Sequence, residues 1–259
     1  MVIPRITTVD TAVAPGRLAC DIRHATLTLY SILSPQAWDT LAGDGILTGR
    51  EDLIDPLFVA SYRWIRRAAA LRGLGDEWPV WLWARTTRRD LIDSVRFAAR
   101  EKPGSVLITA RIPRHRVLLS HFDAWHYVLN DWPAFEPTAT DAEMDRIDSA
   151  IAEFTGWKPH EPKPPQLERI IEDTWDLIFD TTLWPPTNLW QATVPELRLG
   201  DVIDAVVAEP RRGSGNRRRI GPESYEAATL TPAEPNPAGR TGGMETVSGS
   251  AVTGPAGAA

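Results

Sequence analysis

The chain has 259 residues with a formal net charge of −6, so it is not built mainly to hold nucleic acid, which calls for a basic face. Cys20 is its only cysteine, which rules out an intrachain disulfide and a multi-cysteine metal site. Apolar runs fall short of the roughly 18–20 residues that span a bilayer, and the N-terminus lacks the pattern of a secretory signal, so the expected location is cytoplasmic.

In chain order, residues 1–21 read as a flexible segment. Residues 26–33, TLTLYSIL, alternate as a strand should. Ser34-Pro35 then caps a short helix that Gly43 ends, followed by Gly45-Ile46-Leu47. Asp55-Pro56 opens a longer helix with Leu57, Tyr62, Ile65 and Ala69 on its buried stripe. PVWLWA (79–84) reads as a buried strand, and residues 88–101 as a helix or an irregular crossing. SVLITARI (105–112) is the strongest strand pattern in the chain, with a short partner at Val117-Leu118-Leu119. A helix follows over 123–130, capped by Ser120 or Asp123, with Trp125, Val128 and Leu129 apolar and Asn130 at its end. Helices over about 141–154 and 165–180 come next, and two strands, 190–197 and 202–208, close the domain. This order lacks the regular alternation of a doubly wound sheet. The expected fold is therefore α+β, one mixed domain over residues 22–210 with a small, largely antiparallel sheet packed by helices. From residue 211 the Gly-, Pro-, Ser- and Ala-rich composition offers little to bury, and the tail reads as disordered.

Eleven tryptophans against four tyrosines suggest a core or cleft walled by indoles. Trp81 and Trp83 alternate on one strand and share a face, where they either stack a planar ligand or pack the core. Arg85, Arg88 and Arg89 follow at that strand's end, a solvated loop or a grip for a pyrophosphate. His121, Asp123 and His126 invite a metal, but their spacing suits one helix face poorly, so no metal site is assigned. His126 remains a candidate ligand-binding or catalytic group because histidine as a residue type suits acid/base and ligand roles, and this one is flanked by aromatic residues. Glu172 and Asp176 are read as a solvent-facing acidic helix surface rather than an acid/base pair. Phosphate-loop, serine-hydrolase and zinc-protease signatures are missing.

The segment LLSHFDAWHYVLN (118–130), with PVWLW (79–83) before it and Gln191-Ala192-Thr193 after it, resembles the bacterial family catalogued as domain of unknown function 3841. Matching pieces run over about residues 27–208. A second resemblance, carried by the first strand, the Trp-containing helix and Gly45-Ile46-Leu47, is to NAD-dependent ADP-ribosyltransferase domains. It implies a first-strand ribose contact at Tyr30 or Ser31, where this chain lacks the usual His or Arg. It implies a nicotinamide contact near Trp81, Trp83 or Arg85. The position of the usual Glu falls near Gln191 or Thr193, with Glu196 close by. The composite expectation is NAD, or a related nucleotide, bound in an indole-lined cleft. Trp81 and Trp83 form the wall, Arg85 or Arg89 the phosphate grip, Tyr30 and Gln191 the ribose contacts, and His126 a supporting group. The alternative is a non-enzymatic module that receives a small ligand or a protein partner.

Overall fold

Alternation of apolar and polar residues in TLTLYSIL produces the central strand of the protein, β2 (Thr26–Leu33). Its Leu27, Leu29 and Leu33 are buried on one face of the sheet, while Thr28, Tyr30 and Ile32 lie on the other. The structure, a computed structural model, describes residues 24–184 and 188–208 and the backbone of residues 5–6. The expected disordered tail and nearly all of the N-terminal segment lie outside the described residues.

The other strands are β1 (Arg5–Ile6), β3 (Ile46–Leu47), β4 (Val80–Arg85), β5 (Val106–Pro113), β6 (Leu118–His121), β7 (Trp190–Val194), β8 (Leu197–Arg198) and β9 (Val202–Ala208). The helices are α1 (Pro35–Asp44), α2 (Val59–Leu71), α3 (Arg88–Glu101), α4 (Phe122–Leu129), α5 (Asp141–Ala152) and α6 (Pro165–Glu172). Together they make one mixed α+β domain. The main sheet has the order β1-β9-β5-β2-β4-β7-β6 and is antiparallel throughout, apart from the parallel contact of β1 with β9. That contact gives Arg5–Ile6 a strand within a segment whose sequence reads as loose. β3 and β8 form a separate two-stranded ladder. It ends the strand expected over 190–197 at Val194, because Leu197 pairs with Leu47.

One face of the sheet carries Leu27, Leu29, Leu82, Ile108, Ile112 and Ala192, and packs on Ala37, Trp38 and Leu41 of α1. The opposite face has two covers. α3 lays Leu91, Ile92, Val95 and Ala99 against Trp83 and Leu107. α2, α4 and α6 bury Trp64, Ile65, Trp125, Val128, Leu167 and Ile171 around Trp81 and Leu118.

Three joints differ from the sequence expectation. α1 runs past Gly43 to Asp44 and is capped by Gly45 in the left-handed region. Asp55-Pro56 opens a 3₁₀ turn, Pro56–Phe58, before α2 begins. Leu57 is exposed on that turn, while α2 buries Ser61, Trp64, Ile65 and Ala68, with the expected Tyr62 and Ala69 partly buried against the same core. The helix expected over 165–180 breaks after Glu172 and resumes as a 3₁₀ segment, Trp175–Phe179.

The central strand is tied unequally to its neighbours. β2 and β5 pair in register from Thr26↔Pro113 to Leu33↔Val106. Between β2 and β4 the register is the single pair Tyr30↔Trp83. Beside that pair, the Ser31 hydroxyl donates to the Trp81 carbonyl at 2.9 Å, so a side chain satisfies a group that a ladder would otherwise engage.

Candidate functional site

Strand register, read across the two-cover face, lines up a row of polar and aromatic side chains. Ser120 of β6 faces Gln191 of β7, and Gln191 faces Trp83 of β4. Trp83 faces Tyr30 of β2, Tyr30 faces Thr109 of β5, and Thr109 faces Asp204 of β9. Directly opposed residues share a face, and strands lie about 4.8 Å apart, so the row is roughly 24 Å long. Its burial is graded. Ser120, Gln191 and Trp83 are buried, Tyr30 and Thr109 are half-buried, and Asp204 is exposed.

The closed end of the row is polar and unsatisfied. Among the described residues, four buried side-chain atoms have no hydrogen-bond partner: Ser120 Oγ, Gln191 Oε1, Trp81 Nε1 and Thr86 Oγ1. The first three come from this face. Trp81 pairs with Thr193 one row along, diagonal to Gln191, within reach of long side chains. Its ring is fixed by Trp125 at 5.1 Å and Tyr62 at 5.8 Å. A buried polar atom without a partner carries a penalty of about 1–3 kcal/mol, so these three mark the least satisfied part of this face.

The open end is hydroxyl-rich and acidic. Burial raises the Tyr30 phenol above its ordinary range, so it stays protonated and both donates and accepts.

Of the residues singled out in the sequence, Gln191, Trp83 and Tyr30 are brought together, with Trp81 on the same face but held in the α2–α4 cover. Arg85 lies elsewhere. A β-bulge between Trp83 and Arg85 sets Arg85 opposite Trp190, a residue of the α1 face. Arg89 stands on α3 with its side chain 90% exposed, 3.8 Å from Asp93. His126 is on the exposed side of α4, where Nδ1 is 3.1 Å from the Phe122 carbonyl and the ring stands edge-on to Phe122. Phe122 in turn packs on Trp83 at 5.1 Å, so His126 touches the row only at second hand.

Ser120 belongs to the row although its sequence position suggests a helix cap. The alternation in LLSH was the available signal, since it sets Leu118 and Ser120 on one face and Leu119 and His121 on the other. The cap of α4 is His121, whose Nδ1 accepts from the Ala124 amide at 3.1 Å, and Asp123 is simply exposed in the first turn. Glu172 is also placed differently from expectation: it is largely buried, 3.0 Å from Arg67 and 3.6 Å from Lys163. Asp176 pairs separately with Arg72 at 3.0 Å. No group of three or more His, Cys, Asp or Glu that could hold a metal occurs among the described residues. No helix among them is long and apolar enough to cross a membrane.

A family model described as Domain of unknown function (DUF3841) matches residues 28–203, from the third residue of β2 into β9. The chain belongs to this family. No curated protein and no solved structure matches it. The stretch matched by the DUF3841 model contains the row from Ser120 to Thr109, and Asp204 falls one residue beyond it.

Proposed function

We propose that this DUF3841 domain is a binding module for NAD or a closely related nucleotide, laid across the strands along the Ser120–Gln191–Trp83–Tyr30–Thr109–Asp204 row. The observation that carries the reading is the graded row itself: a polar closed end, an aromatic middle and a hydroxyl and carboxylate open end. That sequence of surfaces suits a molecule with a planar polar head, an aromatic ring and a sugar. Trp83 and Tyr30 offer the ring contacts, and Thr109 and Asp204 accept from ribose hydroxyls.

Binding without turnover is the better-supported form. The group beside Trp83 is the Gln191 amide, which can hold a hydroxyl but cannot take a proton. Asp204 stands at the far end of the row, about 19 Å away by strand count. Ser120 has no base among its register neighbours on this face, and His121 points from the opposite face.

The test is a thermal-shift titration of the full chain with NAD. A ligand at a hundred times its Kd stabilises by about 2.7 kcal/mol, which for a domain of this size raises Tm by roughly 5–10 °C. The expected result is a saturable rise that Trp83→Ala abolishes and Asp204→Asn weakens. Absence of a shift at millimolar NAD overturns the reading.

A further inference from the structure

We propose that residues 135–164 form a flap that opens as one unit from the aromatic cover of α2, α4 and α6, and that Asp131, with His160 and Lys163, is the clasp that holds it shut. The proposal is independent of the nucleotide reading. From Phe135 to Gln166 no residue is buried as a whole, although this stretch contains all of α5. Its apolar contacts with the rest of the domain are made by partly buried residues: Ile151, Phe154 and Trp157 rest against the cluster built around Trp64, Trp125 and Trp175. A region with so little buried apolar surface belongs to the low-stability end of a fold and can part from it locally.

Both ends of the flap are fixed. Before it, the Trp132 carbonyl accepts from Trp175 Nε1 at 2.6 Å and the Ala134 amide donates to Thr174 Oγ1 at 2.8 Å. After it, α6 buries Leu167 and Ile171. The clasp spans the neck between these anchors. Asp131 Oδ2 accepts from the His160 amide at 2.9 Å, and Oδ1 accepts from Lys163 Nζ at 2.6 Å. Glu172 Oε1 stands 3.6 Å from the same ammonium. Among the described residues, Asp131 and His160 are also the two non-glycine residues with positive φ, at 57° and 71°. A left-handed backbone is disfavoured for residues with a Cβ, so the clasp holds the neck in a shape that the backbone alone does not favour. The parts are also able to separate. Glu172 keeps Arg67 at 3.0 Å when Lys163 leaves, and Asp131 lies beside the exposed Trp132, where water reaches it once the flap lifts. Lifting bares the side of the α2–α4–α6 cover on which Ile151, Phe154 and Trp157 lie.

The experiment is amide hydrogen exchange on the full chain, resolved by segment and repeated across a series of low urea concentrations. A helix of 12 residues is marginal in water by itself, so the α5 amides lose protection when the flap leaves. They are expected to exchange together, about a hundredfold or more faster than those of β2 and β5, and with a weaker urea dependence because opening exposes less surface than unfolding. Lys163→Met should speed α5 exchange about a hundredfold, since it strands the buried Asp131 carboxylate in the closed state. Ile108→Val thins the core equally in the closed and open forms. It should speed exchange in β2 and β5 about threefold or more and leave α5 unmoved. Three results overturn the proposal. In the first, α5 exchanges at the rate and urea dependence of β2 and β5, or speeds up with Ile108→Val, so that the segment parts only with the whole domain. In the second, α5 is unprotected in the unaltered chain, so that no closed state exists. In the third, α5 opens locally but Lys163→Met leaves its rate unchanged, which removes the clasp.

Discussion

The imidazole of His121 lies 4.2 Å from the indole of Trp184 with their planes 13° apart. Trp190 closes the ring edge-on at 5.5 Å. Nδ1 accepts from the Ala124 amide, so the neutral ring carries its proton on Nε2. The Asn188 side-chain amide lies 2.9 Å from Nε2, and this tautomer calls for its oxygen, not its NH₂, to face the ring. Protonating Nδ1 would break the cap of α4. Burial accordingly holds the His121 pKa below the usual range, with Asp123 opposing the shift weakly.

A group that is neutral in the fold and protonates more readily when unfolded contributes stability above its unfolded pKa, about 6.5. That contribution is lost as pH falls through this value towards the lower folded one. The domain is therefore expected to melt at lower temperature at pH 5 than at pH 8. His121→Asn keeps a capping oxygen and removes the titration, so it should flatten that slope. An unchanged slope in the variant would assign the pH dependence to another group.

Lys163 is expected to be the most sensitive surface-to-core cation. Its Nζ lies 2.6 Å from Asp131 Oδ1, with the two side chains only 8% and 4% exposed, and 5.2 Å from the Trp175 ring centre. Asp131 also accepts from the His160 amide at 2.9 Å, which ties the chain after α5 to the end of α4. Lys163→Ala leaves a buried carboxylate unpaired and should destabilise by about 3–5 kcal/mol. Urea unfolding measures it. A loss under 1 kcal/mol would mean that water reaches Asp131.

Two glycines should respond to alanine with opposite signs. A Cβ on Gly49 would lie 2.6 Å from the Pro79 carbonyl oxygen and 2.7 Å from that of Trp78, both backbone, so Gly49→Ala is expected to cost about 1–3 kcal/mol. Gly43, inside α1 with open space around it, should gain about 0.5–1 kcal/mol from the same change. Chemical denaturation of both variants checks the pair.

Trp175 anchors the aromatic cover through its indole N–H, which donates to the Trp132 carbonyl at 2.6 Å. Its ring meets Trp64 edge-on at 5.1 Å, and Trp64 stacks on Phe179 at 5.5 Å. Trp175→Phe preserves an aromatic face and loses the hydrogen bond, for an expected cost of about 1–3 kcal/mol. Trp175→Ala empties the site and should cost about 3–5 kcal/mol. Similar losses in the two variants would show that the ring contributes little beyond its N–H.

Much of this fold is legible because its strands are locally marked. TLTLYSIL alternates, and its predicted bounds are those of β2, while the strands expected at 79–84 and 105–112 differ from β4 and β5 by one residue at each end. The start of α2 was less legible, because the 3₁₀ turn at Pro56–Phe58 delays the helix in a way that the Asp-Pro signal does not reveal. The site was half legible. Tyr30, Trp83 and Gln191 stand out by type, but their adjacency depends on register between strands that are distant in sequence, which no local pattern encodes. Ser120 was hidden for a different reason: a serine just before a helix reads as a cap, and only the pairing of β6 with β7 turns it towards Gln191. Arg85 is set opposite Trp190 by a bulge that no local pattern reveals.

Two ties join β2 to β4, the registered pair Tyr30 against Trp83 and the Ser31–Trp81 hydrogen bond beside it, so the sheet reads as two plates joined along a short seam. One plate is β1-β9-β5-β2 and the other β4-β7-β6. The seam is shorter than the ladders on either side, so shear or splay of the plates would act on it before it acts on them. A ligand bound along the row as proposed would cross that seam and splint the two plates together.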